Sequence, residues 1–106
     1  MKIPLSKNQL DALVEEATVD CYDEEEQLSG LYCVLEENLT LPFETEVLGQ
    51  VVAVTALEQT ERDIVVRCCR GAATQLLSLL HLPVPEPPPR GAQWIYAYRH
   101  WVQASG

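Results

Sequence analysis

The stretch from Asp20 to Asn38 reads DCYDEEEQLSGLYCVLEEN, and it joins the densest group of acids in the chain to an apolar pattern of helical period. The side chains that share one helical face at this spacing are Leu28, Leu31, Tyr32 and Leu35. The pattern therefore predicts a helix over roughly residues 21–38. We expect Asp20 to cap its start and Asn38 to mark its end, and Pro42 prevents its continuation.

Charge is segregated along the chain. Residues 8–61 contain no Lys or Arg and carry 14 carboxylates, whereas the other 52 residues hold all seven cations and two acids, which gives a net charge of −9. Carboxylates this close together repel one another, so a fold that keeps them together needs water, cations or a basic partner. Divalent-cation binding is therefore the first functional hypothesis. The alternative is an acidic interaction module that recognises a basic protein.

A helical wheel of the acidic segment predicts where its carboxylates point. At about 100° per residue, Cys21 and Glu24 fall on the apolar stripe and Glu25 falls on its flank. The side chains that turn away from the core are Asp23, Glu26, Gln27 and Glu37. An inward carboxylate such as Glu24 is costly unless it is paired or binds a metal, and no Lys or Arg lies nearby in sequence. A structural explanation without a metal is the alternative. Acids in a first helical turn complement the helix dipole, and a run of charges is typical of a solvated face.

Further helices and strands are predicted on both sides of this segment. Ser6 and Gln9 have the spacing of a capping box, which predicts a first helix whose apolar face is Leu10, Leu13, Val14 and Ala17. From Phe43 onwards, β-branched runs separated by turn residues predict antiparallel strands at about residues 44–48, 51–57, 64–69 and 72–77. Short strands at this spacing favour a compact barrel or a strongly bent sheet, with Leu79–Pro83 as a buried turn that closes it.

The C-terminal part of the chain begins with a proline-rich segment. Pro83–Pro89 is typical of a polyproline-II spacer, and an SH3 or WW ligand is the alternative. Residues 91–104 are predicted to form a helix, and one face of it carries Trp94, Tyr98, Trp101 and Val102. We call this the aromatic face. We interpret this segment as a closing helix packed on the sheet; a partner-binding aromatic face is the alternative.

Composition and motifs exclude several classes of function. A net charge of −9 disfavours nucleic acid and anionic membrane surfaces. No apolar stretch reaches the roughly 18 residues of a transmembrane helix, and the N-terminus lacks the apolar region of a signal peptide. We therefore expect a cytoplasmic monomer whose four cysteines are reduced. No nucleophile elbow, phosphate loop or H-E-x-x-H motif is present, so we predict no catalytic residues, and a small acid–base enzyme is the weakest alternative.

Three motifs within residues 20–43 resemble the CcbP-type calcium-binding proteins first recognised in cyanobacteria. They are the acidic box DCYDEEEQ, the pattern G-x-Y-x-x-L-E-E-N-L from Gly30, and the pair Pro42-Phe43. The strands between Val47 and Val66 and the C-terminal aromatic residues are similar in placement. The length of 106 residues predicts a single domain over residues 1–106. The resemblance implies that this domain binds Ca²⁺ through acidic side chains, and we expect the binding to be reversible, as in a buffer or a sensor.

The positions of the acids in these motifs imply a set of candidate metal ligands. In the acidic box they are Asp20, Asp23, Glu24, Glu25 and Glu26, and the second motif adds Glu36 and Glu37. The spacing lacks the D-x-[DN]-x-[DN]-G loop with Glu at its twelfth position, so the site is not an EF-hand. A calcium site would instead combine the loop before the helix, the helix and a second segment. The predicted fold is α+β, with two N-terminal helices and a C-terminal helix packed on a small SH3-like antiparallel barrel.

Overall fold

The computed structural model describes residues 5–105, which form three helices and one four-stranded antiparallel sheet. The elements in chain order are α1 (Lys7–Ala17), α2 (Glu24–Asn38), β1 (Phe43–Val47), β2 (Gln50–Gln59), β3 (Ile64–Arg70), β4 (Ala73–Ser78) and α3 (Gln93–Ser105). This confirms the predicted α+β class and the order of the helices and strands. None of the described helices is long and apolar enough to cross a membrane.

The start of α1 matches its prediction, whereas the start of α2 does not. Ser6 and Gln9 form the predicted capping box, in which each side chain bonds the backbone N–H of the other residue. The prediction that Asp20 caps α2 is wrong, because the carboxylate that accepts a hydrogen bond from the Glu26 N–H, at 2.8 Å, is that of Asp23. Asp20 has a φ of 65° and therefore lies in the left-handed region, whereas an N-cap residue is extended. Asn38 ends the helix as predicted.

The four strands form a meander in the order β1-β2-β3-β4. Only neighbouring strands pair in residues 5–105, so β1 and β4 are the edges and the sheet is open; the predicted SH3-like barrel is not confirmed. Alternation along β3 buries Ile64, Val66 and Cys68 and turns the intervening residues away from the core. Cys68 and Cys69 therefore point to opposite faces of the sheet.

The hydrophobic core lies between the sheet and the helices. Leu31 and Leu35 of α2 are completely buried, as are Val54 and Val66 on the facing strands. In α3 every side chain from Trp94 to Tyr98 is buried. The prediction of a closing helix is therefore confirmed, and most of its aromatic face is used inside the domain.

Two consecutive residues of α3 bond to the sheet and to the loop after it. The Tyr98 hydroxyl donates to the Asp63 carboxylate and accepts from the Ile64 N–H at 3.1 Å, at the start of β3. Burial and the bond to Asp63 together raise the pKa of Tyr98. The Arg99 guanidinium donates to the carbonyl oxygens of Leu79 and Leu82. These bonds fix the sheet and the loop after β4 against α3.

The next two residues of α3 bond to the N-terminal helices. His100 Nε2 lies 2.6 Å from the Asp11 carboxylate of α1. Trp101 Nε1 donates to Gln27 Oε1 of α2 at 2.9 Å. Gln27 is half-buried by this contact, so the prediction that it turns away from the core is wrong.

The segment after β4 packs on the domain before it reaches the prolines. Leu79 and Leu82 are buried, which confirms the buried turn, and Val84 is buried as well. The Thr45 hydroxyl of β1 donates a hydrogen bond to the Pro83 carbonyl oxygen at 2.6 Å. The spacer interpretation is therefore wrong for the first residues of Pro83–Pro89, since packing against β1 holds them in place.

Helices α1 and α2 touch at a glycine. A side chain at Gly30 would begin well inside van der Waals contact with the Ala17 carbonyl oxygen and 3.3 Å from Cys21 Sγ. Because backbone lies on both sides of this contact, only glycine allows the two helices to approach so closely.

We predict that Gly30→Ala lowers the free energy of unfolding by about 1–3 kcal/mol, as overpacking does in well-packed sites. Helix propensity alone predicts the opposite sign, a gain of roughly 1 kcal/mol for Gly to Ala. Chemical denaturation measures the change, and Cys33→Ala, at an exposed position one turn further along α2, is the control that should leave stability nearly unchanged. A stabilised Gly30→Ala variant would show that the helices are not in contact here.

A second prediction concerns pH. Hydrogen bonds from His100 and Lys7 hold the pKa of Asp11 below its usual value of 3.8. A carboxyl whose pKa is lowered by folding stabilises the folded state above its unfolded pKa and loses that contribution as pH falls. Asp11→Asn should therefore lower the melting temperature at pH 7, and the difference from the wild type should shrink as pH falls below 3.8. Glu16→Gln, an exposed acid of the same helix, should show no such difference at either pH.

Candidate metal site at the start of helix α2

The acidic box occupies the turn between α1 and α2 and the first turn of α2. The Cys21 N–H donates to the Thr18 carbonyl at 3.0 Å, which closes the turn and places Asp20 at its tip. Asp23 then caps α2, and the three glutamates that follow occupy its first turn, Glu24, Glu25 and Glu26. The positive end of the helix dipole offsets part of the repulsion among these carboxylates.

All five carboxylates of the acidic box are exposed to solvent. This contradicts the prediction that Glu24 points into the core. Glu24 does share the stripe of Leu28, which is buried, but it stands one turn earlier, where the helix extends past the packed core. At that level the stripe faces an open cleft, and a carboxylate there stays hydrated at little cost.

The carboxylates border two separate clefts. The first, which we call the turn cleft, is lined by Cys21, Asp23, Glu25, Glu26, Ser29, Gly30 and Cys33. The second, which we call the hairpin cleft, is lined by Glu24, Glu25, Leu28, Glu61, Arg62 and Trp101. Glu25 borders both clefts, so the first turn of α2 divides the acidic box between two sides.

The pKa of the Cys21 thiol is affected by the negative charges on the side of the turn cleft. Its pKa is raised first by burial and then by the charges of Glu26, Asp20 and Asp23. The thiol also donates to the Glu26 carbonyl oxygen at 3.3 Å. The charges of all three carboxylates therefore act on the thiol, although Asp20 and Glu26 are six positions apart in sequence.

No cation lines the turn cleft, and none of the five carboxylates forms a salt bridge within residues 5–105. The hairpin cleft differs in this respect because Arg62 lies beside its carboxylates. A divalent cation is attracted by carboxylates and repelled by a guanidinium at similar range. The turn cleft is therefore the more favourable of the two for a metal ion.

Glu61 is a candidate that the sequence reasoning missed. It stands in the turn between β2 and β3, and the fold brings it to the same cleft as Glu24 and Glu25. The sequence places it 36 positions after Glu25 and next to Arg62, so it reads as part of a polar turn. Only the packing of the β2–β3 hairpin against α2 reveals it.

Glu36 and Glu37 lie at the other end of α2. Glu36 follows Glu26 by ten positions, which at about 1.5 Å per residue is roughly 15 Å along the helix axis. The Tyr32 hydroxyl donates to Glu36 at 2.7 Å, and this bond is the main reason that the pKa of Tyr32 is raised. Glu37 borders a different cleft together with Arg90. These two glutamates therefore cannot share an ion with the acidic box.

The donor groups of the turn cleft have the chemistry that Ca²⁺ requires. Ca²⁺ binds six to eight oxygen atoms in irregular geometry, and the cleft offers several carboxylates and the Ser29 hydroxyl. Within the described chain, no three His, Cys, Asp or Glu side chains are already arranged to hold a metal ion. The Asp23 carboxylate is held by the Glu26 N–H, whereas the exposed glutamates make no such bond within residues 5–105, so a site here would be completed by rotation of their side chains and by water.

One comparison with known proteins gives a match. The sequence profile of a family described as calcium binding, of the CcbP type, matches residues 11–102. The matched region begins in α1 and ends in α3, so it contains the whole sheet and every candidate ligand. No curated protein sequence and no solved structure matches the chain.

Proposed function

Because the chain belongs to the CcbP-type family of calcium-binding proteins, we propose that it binds Ca²⁺ reversibly at the turn cleft, as a calcium buffer or sensor. The proposed ligands are the side chains on that side of the acidic box, Asp20, Asp23, Glu25 and Glu26. The observation that carries the assignment is that Asp23, Glu25 and Glu26 line one cleft that no Lys or Arg lines, on the side of the turn where the charge of Asp20 also raises the pKa of Cys21.

The geometry supports moderate affinity. The carboxylates are exposed and must rotate to reach one ion, so binding has to offset the loss of their side-chain freedom. Coordination also removes the repulsion among four negative charges, which favours binding. We expect a dissociation constant between about 1 μM and 1 mM, in the range that spans sensors and extracellular calcium modules.

Calcium at the turn cleft would bridge two neighbouring segments of the chain. Asp20 lies on the α1–α2 turn, whereas Glu25 and Glu26 lie on α2. An ion shared by these residues would hold the turn against the helix, and this is the change through which a sensor would act.

The remaining acidic candidates receive secondary roles. Glu24 and Glu61 border the hairpin cleft with Arg62 and would bind a second, weaker ion if they bind one. Glu36 and Glu37 would need a site of their own at the far end of α2. A cytoplasmic location and a monomeric state stay predictions, and membership of a binding family agrees with the expectation of a non-catalytic protein.

A second candidate function is recognition of a basic protein. Two apolar side chains are exposed within the acidic turn, Val19 at 67% and Tyr22 at 87% of their surface. Apolar side chains surrounded by carboxylates would suit a partner that combines Lys or Arg with an apolar anchor. Such a partner would use the same carboxylates as Ca²⁺ and would therefore compete with it.

The ligand assignment predicts the effect of three matched double variants. Asp23→Asn with Glu26→Gln should weaken Ca²⁺ binding at least about tenfold, a loss of ~1.4 kcal/mol, while Asn preserves the N-cap of α2. Glu15→Gln with Glu16→Gln removes the same charge from the exposed face of α1 and should have little effect. Glu24→Gln with Glu61→Gln should have a smaller effect than the first variant. Calorimetric titration measures all three, and the largest loss in the Glu24 and Glu61 variant would move the site to the hairpin cleft.

Ion selectivity and stability provide an independent prediction. Ca²⁺ should bind more tightly than Mg²⁺, because Mg²⁺ requires a regular octahedron that an irregular set of carboxylates does not supply. At 100 times its dissociation constant, Ca²⁺ should add roughly 2.7 kcal/mol to the free energy of unfolding and raise the melting temperature by roughly 10 °C or more. NaCl at matched ionic strength is the control. Equal binding of both ions that disappears with added salt would indicate diffuse charge screening instead of a site.

A further inference from the structure

The core-facing side of the sheet extends beyond the layer of helices. It forms a groove at the end of the sheet that carries the β1–β2 and β3–β4 turns, and we call it the sheet groove. Six of its lining residues are Val47, Val52, Cys68, Arg70, Gln75 and Leu77. Together they represent all four strands, so the groove crosses the full width of the sheet.

The strand register shows that the groove continues the core. Cys68 pairs with Val54 on one side and with Gln75 on the other, and paired residues share a face of the sheet. Burial decreases along this face towards the turns: Val54 is fully buried, Leu77 is half-buried and Gln75 is exposed. The helices therefore cover only part of the inner face, and the rest is an apolar surface without a cover in the described residues.

The groove ends at an edge strand that lacks the usual protection. Among the described residues β4 pairs only with β3, and its sequence from Ala73 to Ser78, ATQLLS, contains no charge and no proline. Natural edge strands are usually protected by charged side chains, proline, bulges or a covering segment. The other edge follows this rule, because β1 carries Glu44 and Glu46 and bonds to the segment at Pro83 through Thr45.

The groove also carries a positive charge in a strongly acidic protein. Arg70 follows Cys68 by two positions, so it lies on the same face, and it forms no salt bridge with any described residue. No Asp or Glu lines the groove. In contrast, Arg67 on the opposite face pairs with Glu58 of β2. The open surface therefore offers a place for a carboxylate that the chain itself does not fill.

We propose that an extended segment of a partner protein binds here by adding a fifth strand to β4. Its backbone would bond to the free edge, and alternate apolar side chains would enter the groove beside Leu77 and Gln75. The added segment would run antiparallel to β4, so its C-terminal end would lie beside Ala73. The register partner of Ala73 on β3 is Arg70, and a carboxylate at that end of the segment would therefore lie near the Arg70 guanidinium. A second copy of this chain fits less well, because β4 contains no acid for Arg70 and each copy carries a net charge of −9.

The test uses a defined peptide and the full chain. The probe is acetyl-TVTVTD-amide, in which the valines and the Asp share one face of the strand, and its matched control replaces the Asp with Lys. Amide chemical shifts of the isotope-labelled protein should change along β4, and at low salt the Asp peptide should bind at least about threefold more tightly than the Lys peptide. Arg70→Glu should reverse this preference. Arg67→Gln, on the other face of the same strand, should leave the preference unchanged.

Three outcomes would overturn the proposal. Shifts confined to other elements would place the peptide elsewhere, and equal binding of the two peptides would remove Arg70 from recognition. Sedimentation that shows the chain itself associating through β4 would make a second copy the occupant. Hydrogen exchange gives a second measurement on the same sample, because strand addition should slow the exchange of β4 amides when the Asp peptide is present.

Discussion

The polar contacts of four consecutive residues in α3 hold the domain together. Tyr98 bonds to the start of β3, Arg99 bonds to the loop after β4, His100 contacts α1 and Trp101 bonds to α2. Each contact joins α3 to a part of the chain that lies far away in sequence. Helix α2 also bonds to the sheet directly, because Gln59 of β2 donates to the Ser29 hydroxyl of α2 at 2.9 Å. The position of α2, and with it the acidic turn, depends on both sets of contacts.

The site lies where this packing ends. The close contact at Gly30 fixes the middle of α2 against α1, whereas the first turn of α2 extends past the core into solvent. An exposed carboxylate keeps its hydration, so the protein can hold five acids here without burying an unpaired charge. The cost is mutual repulsion, which a bound cation removes. Exposure and repulsion together are the properties on which the proposed calcium site rests, because such a site would fill and empty readily.

The two halves of the molecule present surfaces of opposite character. The helical half exposes carboxylates in the α1–α2 turn and in the first turn of α2, whereas the far end of the sheet exposes an apolar groove with Arg70. The two surfaces would bind different ligands, since one suits a hard cation and the other suits an extended acidic segment. The segregation of charge along the sequence is only partly reproduced in space, because β2 of the acidic half pairs with β3 of the other half.

Local sequence determined the elements of this protein and part of its function. The capping box at Ser6, the stripe from Leu28 to Leu35 and the alternation along β3 each depend on neighbours a few positions away, and so does the acidic motif that marks the family. Tertiary structure alone decided where α2 begins, since Asp20 and Asp23 are both suitable caps and the chain reversal after α1 selects the second. A helical wheel gives the direction of Glu24 but not the level at which the core ends, so its exposure could not be predicted. The approach of Glu61 and the open edge at β4 depend on how distant segments pack, and that information is spread over the whole chain.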